Sequence, residues 1–386
     1  MYRIHSNLLK NGVESTILCE KKTSIDPNVL LLPPLTSKER RLKKISEKLG
    51  LNDIYRISSF RIANNPAYLN SDIINFHGIH SGFINYLALP GLTRNKPAVF
   101  TLRDMWCLTG HCGYSFDCDR WKTGCGKCPY PEVYPPVQRD ATHIEWLLKR
   151  WVYKRSSLTL VALSKWMIEA VKQSILGHFP IHHIPNGVDI EAYQPLDKME
   201  SRNMLGIPQN KQIILFGSAN LNDPRKGGDL VIEIIRNLPV SLKTNLCLLL
   251  FGPHGEKLEK SVDVDCINLG YISDQRKKTA AYSAAEVLLF PSKNEMFGNI
   301  ILESMACGTP IVSFPIGGST DVVYHGKTGF LAELENTGDF SACLVRILQD
   351  ETMRKKMSEN CRSLIVNEYS TDVEIRKYMD LYDTLL

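Results

Sequence analysis

Ten short apolar runs alternate with helical stretches along this 386-residue chain, and they constrain its fold more than any other feature. The first five lie at residues 15–19, 72–76, 98–102, 158–163 and 181–184. The other five lie at 213–217, 246–251, 266–269, 286–290 and 310–314. Helical patterns occupy much of the intervals, at 37–49 and 144–155 and again at 228–238, 275–283, 299–307 and 338–349. Alternation of this kind is the pattern of parallel α/β sheets, and its restart past the middle gives two domains. We expect an α/β domain at 1–190 with a cysteine-rich insert at 104–140, a second at 191–370, and a last helix at 371–386 that packs back on the first. The turn Pro185-Asn186-Gly187-Val188-Asp189 and the polar stretch between Pro195 and Pro208 mark the boundary. Residues 1–10 read as a helix with Ile4, Leu8 and Leu9 on one face. A doubly wound domain opens instead on a strand and a glycine-rich turn. The first domain is therefore expected to lack its first strand.

Composition narrows the function classes. A net charge of +5 permits anionic substrates or an anionic membrane surface and does not point to nucleic acid. The chain has no apolar run of 18 residues and no signal-peptide core near Met1, so the expected location is cytoplasmic. Of eleven cysteines, five fall between Cys107 and Cys128, which without a secretory signal favours a metal or reduced thiols over disulfides.

The strongest motif is Glu295-Met296-Phe297-Gly298-Asn299-Ile300-Ile301-Leu302-Glu303, which follows a buried strand and a Pro291-Ser292 turn. Gly298 allows a sharp turn into a helix, so Glu295 stands on the loop and Glu303 about a turn into the helix. Free N–H groups at 297–299 suit an anion, and two carboxylates suit the hydroxyls of a sugar. Taken alone, the two glutamates are as readily an N-terminal charge and a solvated helix residue. A second motif, Asn222-Asp223-Pro224-Arg225-Lys226-Gly227-Gly228, leaves the strand at 213–217, where Arg225 and Lys226 could neutralise a diphosphate. Walker and dinucleotide-binding glycine patterns are both missing.

In this order and spacing, Pro185–Asp189, Lys226-Gly227 and Glu295 to Glu303 resemble glycosyltransferase family 4 over nearly the whole chain. The resemblance implies the GT-B fold, two Rossmann-like domains facing across a cleft. It implies a retaining transfer of a hexose-type sugar from a UDP- or GDP-sugar. Lys226 would hold the donor diphosphate, Glu295 the transferred sugar and Glu303 the ribose. Phe297, Gly298, Asn299 and Ile300 would line sugar and phosphate, with Arg225 in place of an arginine that the family carries nearer the strand. No metal is implied for catalysis.

A third stretch runs from Thr101-Leu102-Arg103-Asp104-Met105-Trp106 through Cys112, Cys118, Cys125 and Cys128. It resembles the subgroup of the family that builds bacterial exopolysaccharides such as colanic acid. There a histidine stands where this chain has Arg103, and that histidine approaches the donor sugar, so Arg103 is a catalytic candidate by position. Arginine can donate hydrogen bonds but carries no proton near neutral pH. Asp104, His77 and His80 are candidates on the acceptor side. The four cysteines could hold one structural zinc or remain reduced thiols. Lys38, Arg40, Arg41, Lys43, Lys44 and Lys48 around Leu42, Ile45 and Leu49 make a basic amphipathic helix, either a solvated face over a packed stripe or a contact with anionic lipid. The latter suits a lipid-linked saccharide acceptor at the inner face of a membrane. The rival to a transferase is a truncated or degenerate, non-catalytic homologue that binds another protein.

Overall fold

In the computed structural model, which describes all 386 residues, the chain divides into two units: Met1–Ile184 with Ile375–Leu386, and Pro185–Glu374.

In the first unit, strands β1 (Ile17–Cys19) and β2 (Val29–Leu31) pair in parallel as a sheet of their own. The main sheet is four parallel strands in chain order, β3 (Ile74–His77), β4 (Ala98–Leu102), β5 (Thr159–Ala162) and β6 (Ile181–His183). Residues Tyr2–Lys10 are helical, as their pattern predicts. Ile4 and Leu8 of this helix share a core with Val99, Val161 and Ile184 and with Ile375, Tyr378 and Leu381 of the C-terminal helix Thr371–Leu385. Buried apolar area is the driving term, at roughly 25 cal/mol per Å².

The helix Ser37–Lys48 departs from expectation. A capping box closes its start, with Thr36 and Glu39 bonded reciprocally. Its inward positions are Glu39 and Ser46, while Leu42, Ile45 and Leu49 are exposed. Glu39 turns inward because its carboxylate also accepts the Ser58 N–H (2.7 Å). These backbone donors hold its pKa down to about 2 against the opposing effect of burial.

In the second unit, six parallel strands follow: β7 (Gln212–Gly217), β8 (Leu246–Phe251), β9 (Asp265–Asn268), β10 (Val287–Phe290), β11 (Ile311–Ser313) and β12 (Gly329–Leu331). Their order across the sheet is β12-β11-β10-β7-β8-β9. That is the doubly wound order, with its reversal between β7 and β10. Every residue of β8 and β10 is buried, as strands covered on both faces require. The helix Gly228–Arg236 places Leu230, Val231, Ile234 and Ile235 on the sheet. β2 and β12 are not legible in the sequence, because each is three residues at a sheet edge.

Glu286 ties three elements of this unit together. Its carboxylate takes two bonds from Arg202 Nη2 (3.0 and 3.1 Å), one from Lys198 Nζ (3.0 Å) and one from the Ile213 N–H. Arg202 and Glu286 side chains are both more than nine-tenths buried. Removing one partner of such a pair strands a charge, which costs about 3–5 kcal/mol. Arg202→Met should therefore destabilise the second unit by about 3–5 kcal/mol in denaturant unfolding. Arg202→Met with Glu286→Leu should lose less than the single change.

Candidate active site

The reversal of strand order leaves β7 and β10 side by side, so the chain segments leaving their carboxyl ends diverge around one point. Ligands of open α/β sheets bind at such a point. The segment after β7 carries Lys226 and the one after β10 carries Glu295. Lys226 Nζ donates to Glu295 Oε2, and both side chains are largely buried.

The pair is held by backbone packed against backbone. Lys293 N–H donates to Arg225 O (2.8 Å), joining the two segments. Gly227, just after Lys226, has φ +74°, and a Cβ there would lie 2.1 Å from the Pro291 carbonyl oxygen. Gly317, after β11, has φ +51°, and a Cβ there would lie 1.9 Å from the Glu295 carbonyl oxygen. Gly318 N–H donates to Met296 O (2.9 Å). The Gly317-Gly318 segment thus backs Glu295 as a packed wall.

Gly298 has φ +78° and starts the helix Asn299–Ala306, whose first N–H groups point back toward the segment that carries Glu295. Asn299 Oδ1 accepts from Asn186 Nδ2 (2.8 Å), which brings the Pro185–Asp189 turn to this helix start. Ile300 is the next residue of the helix and is partly buried. The Phe297 ring is buried and stacks on Tyr369 at 6.3 Å, so its backbone, not its ring, is what a ligand could meet.

Glu303 is tied to partners that the sequence did not reveal. Its Oε2 accepts from Tyr282 OH (2.6 Å) and Lys278 Nζ (2.7 Å), one helical turn apart on Gln275–Ala284. Burial works against the Lys278 charge, but the Glu303 carboxylate outweighs it and raises the lysine's pKa. Burial and then Glu303 push the Tyr282 phenol far up. Lys278 lies 5.6 Å over the Tyr193 ring. Lys278, Tyr282 and Tyr193 belong to no motif; only the four-residue spacing of a cation and a phenol on one helix hints at them.

Arg225 is placed differently from Lys226. Its fork is bound to Asp223, Nε to Oδ1 at 3.2 Å and Nη2 to Oδ2 at 2.6 Å. Asp263 and Asp265 make an Asp-x-Asp spacing, but both are exposed and paired with Lys243 and Lys211.

In the first unit, the carboxyl ends of β3 and β4 gather the remaining candidates. Arg103 Nη2 donates to His77 Nδ1 (3.2 Å). Burial first, then the Arg103 charge, pulls the His77 pKa well below its usual value, so the ring is neutral. His80 Nε2 meets Asp104 Oδ2 at 2.7 Å, and Asp104 Oδ1 accepts the Trp106 N–H (2.9 Å). The His80 ring packs on Trp106 and Tyr134. Cys112, Cys118, Cys125 and Cys128 line one cavity nearby in the chain, although no three His, Cys, Asp or Glu side chains already stand at metal-ligand spacing.

Two Rossmann-like units, each on a parallel sheet, are the architecture of the GT-B class of glycosyltransferase. The model for Glycosyltransferase Family 4 matches residues 1–192, and that for glycosyl transferases group 1 matches 197–364. The chain belongs to this family. It is 26% identical over 327 residues to a glycosyl transferase of Escherichia coli, WcaC, whose name assigns it to colanic acid biosynthesis, with 81% of this chain and 76% of that one aligned. It spans about half the length of several other curated relatives. Its fold matches a sucrose-phosphate synthase of Thermosynechococcus elongatus (TM-score 0.70, 18% identity, 99% of this chain and 92% of that one). It also matches the Anabaena protein HepE solved with UDP-glucose (TM-score 0.60, 18% identity, 81% and 79%). No helix is long and apolar enough to cross a membrane.

The close approach at Gly227 is directly testable. Gly227→Ala should destabilise the second unit by at least about 2 kcal/mol, since both the left-handed backbone and the Pro291 carbonyl oppose a Cβ. Thermal unfolding reads this out, and an unchanged midpoint would show that the two segments are not in contact.

Proposed function

We propose that this chain is a retaining glycosyltransferase that moves a hexose-type sugar from a UDP- or GDP-sugar to a saccharide or lipid-linked saccharide, in the building of a cell-surface polysaccharide. The observation that carries the reading is the Lys226–Glu295 pair at the switch point of a doubly wound sheet. A diphosphate offers Lys226 a stronger, doubly charged partner than one carboxylate. Donor binding then draws Lys226 to the phosphates and frees Glu295 to accept hydroxyls of the transferred sugar. The first N–H groups of Asn299–Ala306 face the departing charge, and Glu303, held by Lys278 and Tyr282, accepts the ribose hydroxyls. Stabilising the leaving anion with preorganised donors is the largest expected contribution to rate. The acceptor oxygen bonds to the anomeric carbon on the face from which the diphosphate leaves as its bond to that carbon breaks, and the diphosphate takes the acceptor's proton; attack on that face retains configuration. In the other unit, Arg103 donates hydrogen bonds to sugar or phosphate, and His80, oriented by Asp104, binds the acceptor. Arg225 joins the phosphates only by releasing Asp223. The polysaccharide setting rests on the likeness to WcaC and the donor class on the likeness to HepE.

The surface supports a lipid-linked acceptor. Leu42, Ile45 and Leu49 stand exposed among Lys38, Arg40, Arg41, Lys44 and Lys48, an arrangement that suits the interface of an anionic bilayer. Trp151 and Leu147 are exposed beside Arg150 and Lys154.

The decisive experiment follows nucleotide release and sugar transfer from a panel of UDP-, GDP- and dTDP-sugars, with the product's anomeric configuration read by NMR. Glu295→Ala should lower turnover at least ~100-fold, and Lys226→Ala should weaken donor binding roughly 10-fold or more. Silence across the panel from the folded chain would favour the non-catalytic homologue. Separately, phosphatidylglycerol vesicles should sediment the chain at low salt, with about 1 kcal/mol lost per cation removed from Lys38, Arg40, Arg41 and Lys44. Equal recovery with neutral vesicles would count against membrane contact.

A further inference from the structure

Residues 104–140 form a long segment of the first unit whose secondary structure is a single turn of 3-10 helix at Arg120–Lys122. Segments of this length without secondary structure are uncommon in a compact domain and need another source of order. At its centre is a cavity of ≈ 20 Å³ lined by Cys112, Cys118, Cys125 and Cys128 together with His111 and Trp121. That is room for about one small sphere.

One of the sulfurs already meets a backbone donor: Gly110 N–H donates to Cys125 Sγ (3.2 Å). A neutral thiol or a disulfide sulfur accepts only weakly, so such a donor is of use chiefly to a thiolate. The turn between Cys125 and Cys128 is bent to bring its two ends together. Gly126 has φ +118°, and Lys127, though not glycine, has φ +47°. Arg120 Nη1 pins that turn by donating to the carbonyls of Gly126 (2.8 Å) and Lys127 (2.7 Å). His111 Nδ1 donates to the Pro135 carbonyl (2.9 Å), so Nε2 holds the lone pair and accepts from the Cys128 thiol at 3.2 Å. Four cysteine side chains thus line one small cavity at the centre of a segment with little secondary structure, and a divalent cation would fill it.

We propose that Cys112, Cys118, Cys125 and Cys128 bind one zinc ion as thiolates and that this ion orders residues 104–140. Four thiolates match a soft-tolerant, tetrahedral ion and leave no open position for chemistry, so the role is structural. Binding draws the four side chains inward by rotation about their Cα–Cβ bonds and releases their protons to solvent. The ordered segment carries Asp104, which meets His80, and Tyr134, whose hydroxyl is 2.6 Å from Ser81 Oγ. The ion therefore acts on the first unit's candidate residues through backbone order.

The test is metal content and is independent of sugar transfer. The full chain, purified under reducing conditions without a histidine tag, should hold about one zinc per molecule by elemental mass spectrometry. Cobalt exchanged for it should give the intense d–d absorption of a tetrahedral site and a thiolate charge-transfer band. Cys125→Ser should lose the metal, while Cys266→Ser, outside the cluster, should keep it. Chelation should speed proteolysis within residues 104–140 and leave the second unit intact. A folded wild-type chain that holds no zinc and shows no cobalt charge-transfer band would overturn the proposal, whether or not the variants fold. Alkylation and intact mass showing these four cysteines in two disulfides would also overturn it.

Discussion

The pairing of β7 with β10 is the constraint on which the second unit depends. These strands are not consecutive: β8 and β9 lie between them in the chain and on the other side of β7 in the sheet. Neighbouring strands whose connections run in opposite directions leave a crevice at their carboxyl ends that no helix covers. Everything proposed for the donor follows from it, because Lys226 is on one exit and Glu295 on the other. The crevice is kept narrow by Gly227 against the Pro291 carbonyl and by Gly317 against the Glu295 carbonyl. Side chains could not hold the exits this close, so the lysine and the carboxylate meet because two glycines let three backbones touch.

Much of this was legible because it rests on backbone rules. Buried runs such as 246–251 and 287–290 announce themselves by composition, and the turn at Gly298 by the residue that it needs. What escaped detection depends on packing. Lys278 and Tyr282 have no motif, and their meaning comes from Glu303 being placed across from them by tertiary structure. Arg225 and Lys226 are adjacent basic residues of equal promise in the sequence. Asp223, which caps the turn at Pro224–Lys226, engages one and leaves the other for Glu295. The helix Ser37–Lys48 shows its apolar residues to solvent because Glu39 was claimed by backbone donors, a competition that periodicity cannot register.

The two glutamates share a design. Each is paired with a lysine that a phosphate or a hydroxyl could draw away, Glu295 with Lys226 and Glu303 with Lys278. The pairing holds each carboxylate in one orientation until a ligand arrives. On the first unit the logic is reversed. Burial, and then the Arg103 charge, keep His77 neutral, and the histidine that has a carboxylate partner is His80.

The segment 104–140 is held to its unit on the inner side by a buried cation. Lys149 Nζ donates to the carbonyls of Trp106 (2.7 Å) and Thr109 (3.0 Å) and lies 3.5 Å from the centre of the Trp106 ring. Burial lowers its pKa, and the nearby Glu145, itself pushed up to about 7 by burial, partly restores it. A lysine taken wholly out of water is a costly anchor. It is tolerable here because two carbonyls and an indole face replace its hydration. Thr109, which Lys149 grips, is also the residue whose hydroxyl reaches the Cys112 carbonyl (2.7 Å). Thr109 thus joins the buried ammonium to the cavity that the four cysteines line.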